Sequence, residues 1–308
     1  MTEPVKHRPA PRLQRAPGLL RRRLRRRLGG HPGAVAGGLV FALICMAVFP
    51  GAMLWGGDPA AVDLGNRNAP SGLAHPLGTD HLGRDMLARV LTGGRVSIAV
   101  GIAAMLLALG LGTLIGVAAG LSRRLDGPLM RLTDLFLALP LLPLLLVVMM
   151  LFRDALAGWL GPQGGVFVLI VGAVGITSWM TTARVVRAEV LAQKERDFIR
   201  AARAMGVSDM GLVRHHILPN VAAPILVSAS LGIASAILTE SALSFLGLGF
   251  PPDFPTWGRL VSDASVYLLE YPGRVIWPGM AISLTVLSVT WMADALGDAL
   301  DPRRAPPG

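Results

Sequence analysis

Charge is scarce in this chain. Only 16% of its 308 residues are Asp, Glu, Lys or Arg, against about 25% in soluble globular domains. That deficit excludes an ordinary soluble enzyme. Cysteine is nearly absent: Cys45 stands alone inside an apolar run. No disulfide framework or cysteine zinc site can be built within the chain, and Cys45 reads as a small buried apolar side chain. Trp and Tyr number 6 and 2, too few for an aromatic platform that stacks nucleic-acid bases. Lysine occurs only at Lys6 and Lys194. Neither follows the G-x-x-x-x-G-K-[ST] pattern, so no phosphate-binding loop is present and ATP is not bound here. No H-E-x-x-H or G-x-S-x-G pattern occurs either, and no catalytic or metal-ligating set emerges.

What is present is apolar length. Hydrophobic residues make up 53% and mean hydropathy is +0.57. Uncharged runs span 28–57, 96–122, 135–152, 155–183, 217–239 and 275–293. A helix crosses the roughly 30 Å hydrocarbon core with about 20 residues, and lipid forces each crossing to satisfy its own backbone. The pattern predicts an all-α polytopic membrane protein with six transmembrane helices. The first run is too long for a signal-peptide core, and no clean cleavage pattern follows it. Pro140 and Pro143 predict a kink in the third run. Run 96–122 carries Gly101, Gly110, Gly112, Gly116 and Gly120, small residues that let helices approach closely.

The net charge of +10 is unevenly placed. Segments 1–32, 121–131, 184–214 and the C-terminal tail hold 22 Lys and Arg, and the intervening segments hold 7. The positive-inside rule puts the first set, and both termini, in the cytoplasm. The basic run Arg21–Arg27 then orients the first span and meets anionic lipid rather than nucleic acid. The chain divides into a basic tail 1–32, a first transmembrane helix 33–55, an external loop 56–95, a core 96–297 of five further helices, and a tail 298–308. The core contains the cytoplasmic loop 184–219.

Long ordered loops are usually functional. In the cytoplasmic loop, the stretch from Arg184 to Met205 reads as a helix running out of the membrane. Gly206 supplies a stop, Ser208 can cap a short second helix, and Pro219 suits the first turn of the next span. Met210, Leu212 and Val213 give the short helix an apolar side, with Asp209 and Arg214 beside it. This predicts a knob that docks on a cytoplasmic partner.

The spacing Ala201-Ala202, Gly206, Leu218-Pro219 resembles the EAA loop of ABC-transporter permeases, with Arg200 where that motif has Glu and His216 where its end has Ile. His75-Pro76-Leu77-Gly78-Thr79-Asp80 with Gly83-Arg84-Asp85 is similar to a segment of the dipeptide, oligopeptide and nickel permeases. Leu243-Ser244-Phe245-Leu246-Gly247-Leu248-Gly249 with Pro252 and Trp257-Gly258, and Gly297-Asp298 with Leu300 to Arg303, also resemble that family. The order favours the second, C-type permease of such systems. The resemblance implies the type I ABC importer permease fold and a non-catalytic subunit. It implies a second homologous permease, two ATP-binding cassette subunits that hold ATP and Mg, and a solute-binding protein. It also implies that Ala201, Ala202, Gly206, Ser208, Asp209, Met210, Leu212, Val213, Arg214, Leu218 and Pro219 couple the chain to the ATPase. Solutes of the family include dipeptides, oligopeptides, nickel chelates and glutathione-like compounds.

Glu240 is the lone carboxylate between Ile217 and Pro252. Intramembrane carboxylates face the protein interior or a watery path. Glu240 is therefore a candidate for the translocation pathway, with a structural hydrogen bond to a neighbouring helix, or a position at the outer interface, as the alternative. A stand-alone secondary transporter using Glu240 for proton coupling, or another polytopic membrane protein, is the competing class. Such a transporter predicts paired repeats with broken helices, and the two halves show none. His75, Asp80, His81 and Asp85 fit no metal-ligand spacing and read as an ordered loop.

Overall fold

The computed structural model describes residues 32–300, with the backbone alone at Ala223 and Leu300. The basic tail and the Asp301–Arg304 stretch lie outside the described residues. Among the described residues, ten α-helical stretches follow in order: α1 Pro32–Trp55, α2 Met86–Leu121, α3 Arg123–Ala138, α4 Leu141–Ile176 and α5 Trp179–Lys194. Then come α6 Asp197–Ala204, α7 Asp209–Leu212, α8 Leu218–Phe245, α9 Trp257–Ser265 and α10 Gly273–Leu300. Among the described residues, five helical stretches are long and apolar enough to cross a membrane.

One of the five, Leu141–Lys194, has 54 residues, about twice a single crossing. It folds back at Gly161, where φ is 79° and ψ is 163°. A Cβ on Gly165 would lie 2.5 Å from the Ala157 nitrogen, a contact impossible along a straight helix. Leu145 and Met149 accordingly share a buried cluster with Val166, Ile170, Ala173 and Val174. Charge at Arg153 and Asp154 predicted the break there. The helix instead continues to the Gly161-Pro162 step, with Asp154 exposed and Arg153 half-buried. Proline also breaks the chain rather than kinking it: α3 ends at Ala138, and Pro140 stands at the start of α4.

α2 sits at the centre, packed on α4, α5 and α8. Its 36 residues span about 54 Å, more than the hydrocarbon core requires. Residues 86–95, expected in a loop, form its first turns. Asp85 starts the helix by accepting a hydrogen bond from the Ala88 N–H at 2.9 Å, as N-cap side chains do. The arginines that looked like loop charge have partners within the fold. Arg95 donates to the Val48 and Phe49 carbonyls at 2.7 and 2.6 Å, beside the π-helical turn that contains Pro50 in α1.

Close approach between α2 and α5 depends on missing side chains. A Cβ on Gly112 would meet the Trp179 carbonyl at 2.7 Å, one on Gly116 the Ala183 carbonyl at 2.6 Å, and one on Gly120 the Val190 side chain at 2.6 Å. These three recur every four residues and form one face. Gly110 has nothing within 4 Å and belongs to another face. Lys194, at the end of α5, donates to the Gly120 and Leu121 carbonyls at 2.9 and 3.1 Å, closing the C-terminus of α2 as cations do. α3 lies alongside through Asp126, which is ion-paired with Arg187, and Asp134, which accepts from Arg184 at 2.5 Å. The Arg187 hydrogen bond holds the Asp126 carboxyl below the usual range.

Candidate translocation and coupling site

Three regions carry the functional residues. The first is the hairpin of α6 and α7. The chain from Arg184 onward is not one helix: it stops at Lys194 and restarts at Asp197. α6 then ends in a Schellman motif. The Val207 N–H donates to the Ala202 carbonyl at 3.2 Å and the Gly206 N–H to the Arg203 carbonyl at 3.0 Å, with Gly206 at φ +85°. Positive φ is unstrained only for glycine, and this hydrogen-bond pair fixes the four-residue interval between Ala202 and Gly206. Ser208 then caps α7 by accepting from the Gly211 N–H at 3.2 Å. A π-helical turn, Val213–Ile217, leads into α8 with Pro219 in its first turn.

Burial divides the predicted coupling residues. Leu212 is fully buried, in a cluster with Val186, Val190, Ile199, Ala202, Ile217, Val221 and Ile225. It cannot dock on a partner, and the expectation that it would is corrected here. A four-residue helix has one inward face, and Leu212 occupies it. Val213 is partly buried against the same cluster. Ala201, Asp209 and Arg214 are exposed, as are Leu218 and Pro219. Met210 is 74% exposed and Met205, which the sequence did not single out, is 78% exposed. Between them Arg203 donates to Asp209 at 2.9 Å. The hairpin therefore presents two methionines around a surface ion pair, pinned from beneath by Leu212, Ile199 and Ala202. Flexible thioether side chains suit a surface that meets a protein.

The second region is a cavity of about 750 Å³ at the meeting of α2, the start of α4, the α4–α5 junction and α8. Its wall is apolar, with Met105, Phe136, Leu139, Met180 and Leu231, and is interrupted by the hydroxyls of Thr177, Ser178, Thr181, Thr182, Ser228 and Ser235. Thr182 and Ser228 are hydrogen-bonded at 3.1 Å. No Asp, Glu, Lys, Arg or His lines it. Sequence reasoning missed these hydroxyls. The signal was their clustering, Thr177 and Ser178 at the turn before α5, Thr181 and Thr182 within it, and Ser228 and Ser235 two turns apart on one face of α8.

Glu240 is not in that wall. It is fully buried, and its Oε1 accepts from Ser244 Oγ at 2.7 Å. The hydroxyls of Ser97, Ser241 and Thr256 surround the same carboxyl. The structure thus corrects the pathway reading of Glu240: three elements, α2, α8 and the turn before α9, converge on it and exclude a solute.

The third region is the 58–85 segment. Asp80 is its hub, accepting from Arg84 Nε at 2.7 Å, Arg89 Nη1 at 2.8 Å and the Arg84 N–H at 2.9 Å. Burial would raise its pKa, but these donors outweigh it and hold the carboxyl below the usual range. His75 Nδ1 lies 2.9 Å from Asp85 Oδ2, which fixes the cap of α2. Trp257 is fully buried and donates from Nε1 to the Val90 carbonyl at 2.9 Å. His81 stacks on Tyr267 at 5.3 Å, and Arg274 donates to Asn68 Oδ1 at 2.7 Å. The HPLGTD and WG motifs are therefore two halves of one clasp, joining the segment to α2, α9 and α10.

The family model for the binding-protein-dependent transport system inner membrane component matches residues 89–306. The chain is 36% identical over 278 residues to a putative peptide transport system permease protein of Brucella abortus, covering 90% of each chain. It is 41% identical over 228 residues to a di/tripeptide transport system permease protein of Pseudomonas aeruginosa, covering 74% of this chain and 72% of the relative. It is 35% identical over 280 residues to a glutathione transport system permease protein of Pectobacterium atrosepticum, covering 91% and 89%. With a family model matched over residues 89–306 and a relative 36% identical over 90% of the chain, the chain belongs to the family of inner-membrane permease components of binding-protein-dependent transport systems.

Proposed function

We propose that this chain is one permease half of an ATP-driven ABC importer for short peptides or a related small solute. It crosses the membrane six times, with Leu141–Lys194 making two of the crossings around Gly161, and both termini are cytoplasmic. A second homologous permease completes the pathway, two ATPase subunits hold ATP and Mg, and a solute-binding protein delivers the cargo. The hydroxyl-lined cavity is this chain's share of the pathway. Its uncharged wall passes solutes of varied charge without holding them, leaving selection to the binding protein.

The observation that carries the reading is the α6–α7 hairpin. Met205 and Met210 stand exposed on a segment rigidly backed by buried side chains, in a chain with no phosphate-binding loop of its own. Residues from Ala201 to Pro219 divide into an exposed docking surface and an internal support. The sealed position of Glu240 favours this over proton-coupled secondary transport, which requires an ionisable group on the path. The test is ATP hydrolysis and peptide uptake by proteoliposomes holding this chain, the partner permease, the ATPase subunits and the binding protein. The Met205→Asp, Met210→Asp double variant is expected to insert and to lose both solute-stimulated hydrolysis and uptake. Uptake by this chain without any ATPase subunit would overturn the reading.

A further inference from the structure

We propose that the exposed face of α3 binds an anionic phospholipid of the inner leaflet, its phosphate held by Arg124 and Arg131 and its acyl chains lying against Leu132 and Leu135. The helix has 16 residues, too few to cross the hydrocarbon core. It joins the end of α2 at Leu121 to the start of α4 at Leu141, so both of its ends abut apolar spans. The choice of leaflet follows from the proposed orientation. The site itself does not depend on coupling to an ATPase.

α3 hides little of itself. Thr133 is its one buried residue, and it marks the side turned to the protein. Leu125, Pro128, Leu132 and Leu135 are all exposed, at intervals of three or four residues that place them on one face. The three leucines are 48%, 41% and 60% exposed. Arg124 and Arg131 are exposed as well. Two turns apart, they edge the apolar stripe along one side, about 10 Å from each other along the helix axis. An apolar stripe edged by arginines is the pattern of a helix seated at a membrane interface.

Charge decides the headgroup. The charged residues of α3 are Arg123, Arg124, Asp126, Arg131 and Asp134. Both carboxylates are engaged by α5: Asp126 accepts from Arg187 Nη2 at 2.7 Å, and Asp134 pairs with Arg184. Arg123, Arg124 and Arg131 are exposed and have no hydrogen bond or ion pair among the described residues. The outward surface of α3 is therefore cationic, with no carboxylate of its own to neutralise it. A zwitterionic headgroup carries its own ammonium group and adds no net negative charge. Soluble phosphate matches the arginines and leaves the apolar stripe in water. An anionic phospholipid answers both, with phosphate oxygens for charge-assisted hydrogen bonds from the guanidiniums and hydrocarbon for the leucines. Basic clusters beside membrane spans attract such lipids. Through the two ion pairs to α5, the bound lipid braces the helix that leads to the α6–α7 hairpin.

The experiment uses the full chain, with the subunits that co-purify, in proteoliposomes. Leu132→Cys in a Cys45→Ala background carries a bimane label, and its quenching by brominated phosphatidylglycerol is compared with that by brominated phosphatidylcholine. Phosphatidylglycerol is expected to quench with an apparent affinity about tenfold higher. The Arg124→Gln, Arg131→Gln double variant changes only exposed side chains. It should keep the parental unfolding midpoint and lose the preference, while phosphatidylcholine still quenches. Inorganic phosphate in large excess should leave the preference of the parent intact. Equal quenching by the two lipids, a preference that persists in the double variant, or a preference abolished by inorganic phosphate would each overturn the proposal. So would the absence of quenching by either lipid, which would show that another subunit covers this face.

Discussion

Leu212 and Met210 lie two residues apart on one short helix, and the structure gives them opposite duties. Leu212 is fully buried in the cluster that fastens the α6–α7 hairpin to α5 and α8, whereas Met210 is 74% exposed. Leu212→Ala removes buried carbons and leaves a cavity, at a cost of about 2–5 kcal/mol. Met210→Ala removes carbons already in solvent and changes stability by less than about 0.5 kcal/mol. Hydrogen exchange of the amides from Ile199 to Leu212 separates the two. At about 1.4 kcal/mol per tenfold, the lower bound for Leu212→Ala corresponds to exchange roughly 30-fold faster across the hairpin, since local opening governs protection there. Met210→Ala should leave exchange unchanged and still weaken solute-stimulated ATP hydrolysis in the assembled complex. Unchanged protection in Leu212→Ala, or accelerated exchange in Met210→Ala, would refute the division into pin and contact surface.

Three further outcomes are expected. Gly116→Val drives a side chain into the Ala183 carbonyl and Val186, and overpacking of this kind costs about 1–3 kcal/mol or more; its unfolding midpoint should fall, while Gly110→Val, with nothing within 4 Å, should match the parent. Because the Asp80 pKa is lowered in the folded state, its contribution to the clasp is fully present above about pH 3.9 and is lost as pH falls through the depressed native value; protection of the 63–84 amides followed against pH checks this, and Asp80→Asn should lose protection at every pH. Glu240→Ala strands the Ser244 hydroxyl in a buried site and is expected to cost about 1–3 kcal/mol, lowering the unfolding midpoint, while Glu240→Gln keeps an acceptor, folds, and transports normally; a transport defect in a fully stable Glu240→Gln protein would restore that carboxylate to the pathway.

Apolar length, capping residues and helix stops were legible in the sequence because they are local. The interval from Ala202 to Gly206 and the run Leu243 to Leu248 are the same physical object. In both, an N–H two residues beyond the helix cap returns to a carbonyl five residues back, at 3.2 Å for Val207 to Ala202 and 3.1 Å for Leu248 to Leu243. A glycine of positive φ stands between, at Gly206 and Gly247. Such stops read directly from residue type. What charge could not reveal was its own partner. Arg95, Arg153 and Asp154 were read as the ends of spans and Arg89 as a loop charge, yet Arg89 lies within α2 and pairs with Asp80, and Arg95 donates to carbonyls of α1. The Arg95 partners lie 47 and 46 residues away along the chain, so no local pattern announces them. Depth within a helix is equally silent. Leu212 and Met210 look alike in an apolar tally, and only the packing of α5 and α8 decides which faces inward. The lone carboxylate at Glu240 drew attention that belonged to ordinary hydroxyls, since scarcity marks a charged residue while a stripe of Ser and Thr blends into an apolar span.

The central claim is that the α6–α7 hairpin transmits the work of a separate ATPase to this chain. It is tested most directly by single cysteines at Met205 and Met210, in a Cys45→Ala background, in the assembled complex treated with a short thiol-to-amine crosslinker. Both positions are expected to crosslink to an ATPase subunit in good yield, with the yield changing when ATP is supplied, and a cysteine at Ser71 in the opposite clasp is expected to give none. Crosslinking of positions 205 and 210 to lipid or to the partner permease alone, with no ATPase adduct in either nucleotide state, would contradict the account.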